Sequence, residues 1–450
     1  MQQVVETTIA RIGRVKLDEK IKLDREHKAL VMKHLSITLG SIFFLAFVAF
    51  APPAFGQRLI SSASSGTIRM GEVASRMQTV FANYPVSPPA PSIDLQKVTY
   101  SSTDEDGRSV MLTGLMAWPQ GGAPKGLVVF CHGTIQDREA SPSRWKGKAD
   151  GSEAETATLA FATGGYAVIF PDYLGLGDHK ATHPYPRNII NSQSAVDIIE
   201  PARELARKNN YKIGPKLYVT GYSEGGGIAM AATQKLEKMN GDVYGVERSA
   251  PASGPYDVSG ATREFMLVQP TDQIGFVIRL YLLSYAAYYL RKHSNVKITD
   301  YFKPAMAITI WLNYNRNPSD ENLVKALGLT AVLMRSKNDL RNVITPRFLK
   351  ALQTTDRRDP LIAALINDNV FDWAPRTPMI LVNLEGDRVV SPQNTANAFA
   401  AMRRRGVGAD SMRRYIIKDA SLNHVTAVPA AMSAARRFFD GGFAAIPEAR

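Results

Sequence analysis

Ser223 lies in Gly221-Tyr222-Ser223-Glu224-Gly225, a G-x-S-x-G pattern between the apolar Leu217-Tyr218-Val219 and the helix-forming stretch Ile228–Lys238. The chemistry of a serine nucleophile needs that setting. A sharp strand-to-helix turn lifts the hydroxyl into the open, and side chains at Gly221 and Gly225 would collide with the backbone crossing there. The turn also aims the Glu224 backbone N–H, at the positive end of the new helix, toward a developing oxyanion. As five residues the pattern recurs by chance. A strand before it and a helix after it give it meaning.

A serine nucleophile needs a base, and the base needs an orienting acid. Behind a strand-turn-helix elbow the chain order is serine, acid, histidine. Histidine is scarce here, which makes the order a test: of seven, only His293 and His424 follow Ser223. His293 sits in Arg-Lys-His-Ser, a solvated, charged context, whereas His424 lies in Ser421-Leu422-Asn423-His424, a loop after the last strand-like run. The acid should leave the end of the preceding strand. Pro378–Leu384 ends in Glu385-Gly386-Asp387, and Asp387 is preferred over Glu385 because its place after Gly386 suits the turn.

The oxyanion needs a second N–H beside that of Glu224. The loop after Gly126–Cys131 should provide it, with Gly133 allowing close approach and Thr134 donating. His132 invites a catalytic reading, but its position suits a hydrogen bond that holds this loop. Cys131, ending a buried strand, reads as a small core residue. As the chain's one cysteine it can form no intrachain disulfide.

The elements that must position these groups follow in order. Val98–Ser101 and Val110–Trp118 flank Asp106-Gly107, a hairpin signal. Gly126–Cys131 and Tyr166–Phe170 are short, continuously apolar runs separated by a helix-like Glu153–Ala162. Ser192–Lys208 is helical, and Pro201 inside it predicts a kink or break. Uniformly apolar strands alternating with helices predict a mostly parallel central sheet flanked by helices, an α/β architecture. Tyr244–Ala250 adds a strand. From about Gly260 to Trp373 the pattern turns helical, with an apolar, tyrosine-rich Gln273–Arg291. Phe276–Leu290 resembles a membrane helix in composition, but Arg279 interrupts it, so it reads as packed on the sheet or lining a pocket. Tyr415–Ile417 and a closing helix, Val425–Phe439, complete the chain. Residues 57–91 read as a linker leading into a short helical piece, 92–259 and 374–450 as the two parts of one core, and 260–373 as a helical lid or cap insertion.

The chain has 450 residues and a formal charge of +13, of which the first 56 residues carry eight Lys or Arg against five Asp or Glu. The remaining positive charges are scattered and are not interleaved with aromatics, so they read as solvated surface and not as a nucleic-acid site. No zinc-type Cys/His spacing or internal repeat is present. Residues 1–56 hold an apolar run, Leu35–Ala51, followed by Ala54-Phe55-Gly56, which suits an export signal cleaved before Gln57. Met32, followed by Lys33 and His34, would give such a signal a compact start. The alternative is an uncleaved anchor at residues 35–51.

Several of these pieces together resemble the α/β-hydrolase superfamily: Cys131-His132-Gly133, Pro171-Asp172-Tyr173-Leu174-Gly175-Leu176-Gly177, His183-Pro184-Tyr185, the Ser223 elbow, Gly386-Asp387 and Asn423-His424. Within it the chain most resembles the secretory lipases of the Candida lipase A type and their bacterial relatives. The resemblance implies Ser223, Asp387 and His424 as a triad, a helical lid after the elbow, and ester hydrolysis without metal or cofactor on a small-molecule ester or lipid substrate. Contact with a lipid interface fits the apolar insertion. Glu224 departs from the glutamine usual in that family's elbow, with a side chain expected to repel acidic substrates or to face solvent. Asp172, which precedes Ser223, is expected to hold a loop. Two other readings remain open: a different serine hydrolase on the same fold, such as an aminopeptidase or acyltransferase, and a catalytically silent binding protein.

Overall fold

The computed structural model describes residues 58–84, 91–239, 245–268, 273–316 and 318–446. The export segment read from residues 1–56 therefore lies outside the described residues.

Nine strands form one sheet in the order β1-β2-β3-β5-β4-β6-β7-β8-β9. The first three, β1 (Leu59–Ile68), β2 (Ile93–Thr103) and β3 (Ser109–Pro119), pair antiparallel, and β2 and β3 close on Gly107 in a left-handed conformation (φ 77°). That positive φ is why glycine follows Asp106 in the turn. From β5 (Ala167–Pro171) through β4 (Leu127–Cys131), β6 (Leu217–Tyr222), β7 (Val246–Ala252), β8 (Met379–Leu384) and β9 (Met412–Ile417) every pairing is parallel. All five residues of β4 are buried, because its two faces meet two different helix layers. Val128 and Phe130 pack among α1 (Met70–Val80), α2 (Glu153–Ala162) and the closing helix, while Leu127, Val129 and Cys131 pack against the opposite layer. A strand covered on both sides has no polar face to show, which produces the continuous apolar runs.

Residues 57–91 are not simply a linker. β1 pairs with β2 over most of its length and α1 follows it, so the sheet begins at Leu59. The strand LISSASSGTI lies at the sheet's edge with most of its residues exposed, and the apolar alternation that marks a strand is correspondingly absent. The Pro201 region divides into α3 (Asn188–Asp197) and α4 (Ile199–Lys208). Pro201 falls in the first turn of α4, where an absent N–H leaves no intrahelical bond unmade.

After β6 comes α5 (Glu224–Lys238), and after β7 a short π-helical turn leads into a helical region. It holds α6 (Arg263–Leu267), α7 (Gln273–His293), α8 (Ile298–Tyr301), α9 (Pro304–Arg316), α10 (Asp320–Leu333), α11 (Pro346–Thr354) and α12 (Pro360–Asn367). These helices share their own apolar cluster, with Phe276, Leu280, Tyr289, Ile310, Leu323 and Phe348 at its heart. Arg279 is buried there, its guanidinium 4.0 Å above the Phe265 ring and donating to the Phe265 carbonyl at 2.8 Å. Among the described residues no helix is long and apolar enough to cross a membrane. α13 (Gln393–Arg404) and α14 (Val428–Gly441) complete the layers on either face of the sheet.

Candidate active site

The turn between β6 and α5 holds Ser223 at φ 57°, ψ −126°, a strained combination for a residue with a side chain. The two glycines make that turn possible. A Cβ on Gly225 would stand 1.9 Å from the Cys131 carbonyl oxygen, and one on Gly221 would stand 2.4 Å from the Gly225 carbonyl oxygen. β4 and the elbow therefore touch backbone to backbone.

His424 arrives from the loop after β9. Asn423 shapes that loop, its side-chain oxygen accepting the N–H groups of Val425 and Thr426 at 2.9 and 3.0 Å. The hydroxyl of Tyr222, directly before the serine, donates to the His424 carbonyl at 2.7 Å. Asp387 arrives from the turn after β8, where its Oδ1 accepts the N–H groups of Val389 and Val390 at 2.9 and 3.0 Å. Its Oδ2 lies 2.6 Å from His424 Nδ1, and His424 Nε2 lies 2.8 Å from Ser223 Oγ. A carboxylate only accepts, so Nδ1 carries the hydrogen and Nε2 is left to accept from the serine hydroxyl. Both supporting residues are buried, whereas Glu385 is exposed. His293 ends α7 in the helical region.

The loop after β4 is anchored at both ends. Glu153 Oε2 accepts the Gly133 N–H at 2.9 Å, and Asp320, at the start of α10, accepts the N–H groups of Gln136 at 3.0 Å and Asp137 at 3.4 Å. Neither carboxylate takes the Thr134 N–H, and Thr134 lines the same cavity as Ser223. His132 Nδ1 donates to the Gly133 carbonyl at 2.7 Å. Because the peptide is planar and trans, fixing that carbonyl directs the Thr134 N–H the opposite way. Burial pushes the His132 imidazole down to about 4, so it stays neutral near pH 7. Its ring stacks on Tyr173, whose hydroxyl donates to the His132 carbonyl at 3.1 Å. Glu224 supplies the first N–H of α5, a position with no intrahelical acceptor.

The Glu224 side chain corrects the sequence reading. It does not face solvent: it is buried, with Oε1 2.9 Å from His183 Nε2, and His183 Nδ1 donates to the Leu174 carbonyl at 2.9 Å. A buried carboxylate needs a partner, and the positive end of α5 together with the imidazole supplies one. Asp172 is also buried and ties loops together, accepting from the Ser143 N–H at 2.9 Å and the Thr113 hydroxyl at 2.6 Å. Burial pushes the Cys131 thiol up to about 12. Among the described residues no His, Cys, Asp and Glu cluster could hold a metal ion.

Ser223 and His424 open onto a cavity of about 590 Å³ whose far wall is the helical region, through Ile278, Leu282 and Val324. Sequence reasoning missed Glu153, Asp320 and His183 as parts of this site. Glu153 and Asp320 carry only the ordinary signature of acids in a helix's first turn, and nothing local says that the N–H groups they meet belong to the loop after β4.

Sheet order, helix layers, the helical insertion and the elbow together are those of the α/β-hydrolase fold, and solved structures agree. A Legionella pneumophila protein provisionally assigned as a hydrolase is 26% identical to this chain, over 86% of it and 98% of that chain, with a TM-score of 0.73. The rice cell wall degrading esterase LipA from Xanthomonas oryzae is 20% identical over the same shares, with a TM-score of 0.70. Candida antarctica lipase A in its closed state is 12% identical, over 88% of this chain and 86% of that one, with a TM-score of 0.56. No protein-family model and no curated protein matches the chain. The chain has the α/β-hydrolase fold.

Proposed function

We propose that this protein is an exported serine hydrolase that cleaves carboxylic esters through an acyl-enzyme on Ser223, akin to the secretory lipases. The observation that carries this reading is the hydrogen-bonded series Asp387–His424–Ser223, at 2.6 and 2.8 Å, opening onto a largely apolar cavity. The fold shared with an esterase and a lipase supports it. His424 Nε2 takes the Ser223 proton while Oγ attacks the ester carbonyl carbon. The N–H groups of Glu224 and Thr134 receive the oxyanion, and Asp387 stabilises the imidazolium. As the tetrahedral intermediate collapses, His424 passes its proton to the departing alkoxide. Water, deprotonated by the same nitrogen, then attacks the acyl-enzyme and regenerates the hydroxyl. No step asks for a cofactor. The helical region roofs the cavity and serves as a lid over the acyl chain.

Ser223→Ala is expected to abolish hydrolysis of p-nitrophenyl acyl esters while circular dichroism remains unchanged. Retained activity in that variant overturns the assignment.

A further inference from the structure

One carboxylate beside Ser223 takes no part in that mechanism. Glu153 begins α2, and its Oε2 holds the Gly133 N–H at 2.9 Å. A Cβ built on Gly133 would lie 2.6 Å from Glu153 Oε1 and 3.4 Å from Ser223 Cβ, so this oxygen and the nucleophile flank one point. Oε1 receives no hydrogen bond from the described residues, and Glu153 lines the catalytic cavity. It also lines a second cavity, of about 470 Å³, whose mixed wall includes the charged Glu139, Arg144, Lys146, Lys148 and Asp150. The charged groups acting on it are His424 and Glu224, and burial raises its carboxyl to about 7.

The catalytic cavity is lined from the core and from the helical region. α2 and α14 pack together, with the rings of Phe161 and Phe439 5.6 Å apart, so Glu153 and Thr156 share a side with Thr426, Val428 and Pro429. That side carries the His424 loop. From the helical region come Ile278, Leu282 and Val324, together with Tyr281 and Asp320, which are hydrogen-bonded to each other at 2.9 Å. His424 must protonate the departing oxygen, so that oxygen comes within hydrogen-bond reach of Nε2, and an alcohol half that follows the His424 loop from there meets Glu153.

We propose that Glu153 is a specificity-determining residue that accepts a hydrogen bond from a free hydroxyl on the alcohol portion, so that polyol esters are preferred over esters of simple alkanols. This rests on the ester-hydrolase reading. A site built around a polar acceptor rejects an analogue that leaves the acceptor unpaired, whereas an apolar pocket barely discriminates a hydroxyl.

The test compares kcat/KM for glycerol 1-butyrate, n-propyl butyrate and butyrylcholine at pH 8, in wild type, Glu153→Leu and Glu153→Gln, with Ser223→Ala as control. Wild type is expected to favour the glycerol ester over the propyl ester by about tenfold or more. Glu153→Leu should bring that ratio to within about twofold of unity, and Glu153→Gln, whose single amide oxygen can stay with the Gly133 N–H while its NH2 replaces Oε1, should lower the ratio several-fold with kcat/KM for the propyl ester held near wild type. Were Glu153 only a brace for the Gly133 loop, Glu153→Leu would slow both esters by one factor and leave the ratio intact, which overturns the proposal. Preference for butyrylcholine over the glycerol ester also overturns it, since charge and not a hydroxyl would then select. Equal hydrolysis of all three by wild type sinks the Glu153 assignment and leaves the ester-hydrolase reading standing. Hydrolysis of none, or activity in Ser223→Ala, sinks both.

Discussion

Asp387 and Glu224 are both buried carboxylates bonded to a histidine, and their surroundings give them different tasks. Asp387 faces Nδ1 of a histidine whose other nitrogen meets Ser223, so its acceptor character fixes the tautomer that makes Nε2 a base. Asp387→Asn presents an amide donor to that nitrogen and favours the wrong tautomer. The expected loss in kcat is on the order of 10⁴, with folding intact, read by steady-state kinetics beside thermal melting. Glu224 faces a histidine whose other nitrogen meets only the Leu174 carbonyl, and no reacting atom lies at either end of that pair. Its side chain was the part of the elbow that the sequence could not explain. The partner, His183, comes from a different loop, 41 residues earlier, and a local motif does not say which distant group will fill the space behind it.

The parallel strands were legible because their physics is local. A strand buried on both faces is apolar nearly throughout, as LVVFC and AVIFP are, and as MILVNL is apart from Asn383. The break at Pro201 was legible for the same reason. β1 was not, since an exposed edge strand is recognised by its partner's register and not by its own composition. The joint between α10 and the loop after β4 was equally hidden. Asp320 gathers the Gln136 and Asp137 N–H groups and the Tyr281 hydroxyl, the last at 2.9 Å. One carboxylate thus links two helices of the lid to the loop that carries Thr134. Asp320→Ala should free both partners at once. It is expected to lower kcat against p-nitrophenyl esters by about tenfold and to speed limited proteolysis within α7 to α10. Unchanged kcat would show that Thr134 is positioned without the lid.

At the scale of the molecule, the site is assembled from parts far apart in the chain. The elbow, the acid turn and the base loop hang from β6, β8 and β9, and the lid is inserted between β7 and β8. The helical insertion was legible as a change of pattern, but its packing was not, because helical periodicity does not say which face meets the sheet. Residues 1–56 belong to a different question. We propose that they direct export and are removed before Gln57. The intact mass of protein recovered from the producing cell's exterior should correspond to a chain beginning at Gln57, and a mass that still includes residues 35–51 would favour a retained anchor.

The crowding at Gly225 bears on how such a protein can change over generations. Replacing Ser223 removes one hydroxyl and leaves the surrounding packing in place. Replacing Gly225 drives a carbon into the Cys131 carbonyl and forces β4 and the elbow apart. A lineage that no longer needed the reaction would therefore shed the serine early and keep the glycines. In descendants turned to binding alone, Gly221 and Gly225 would persist as the visible trace of a lost nucleophile.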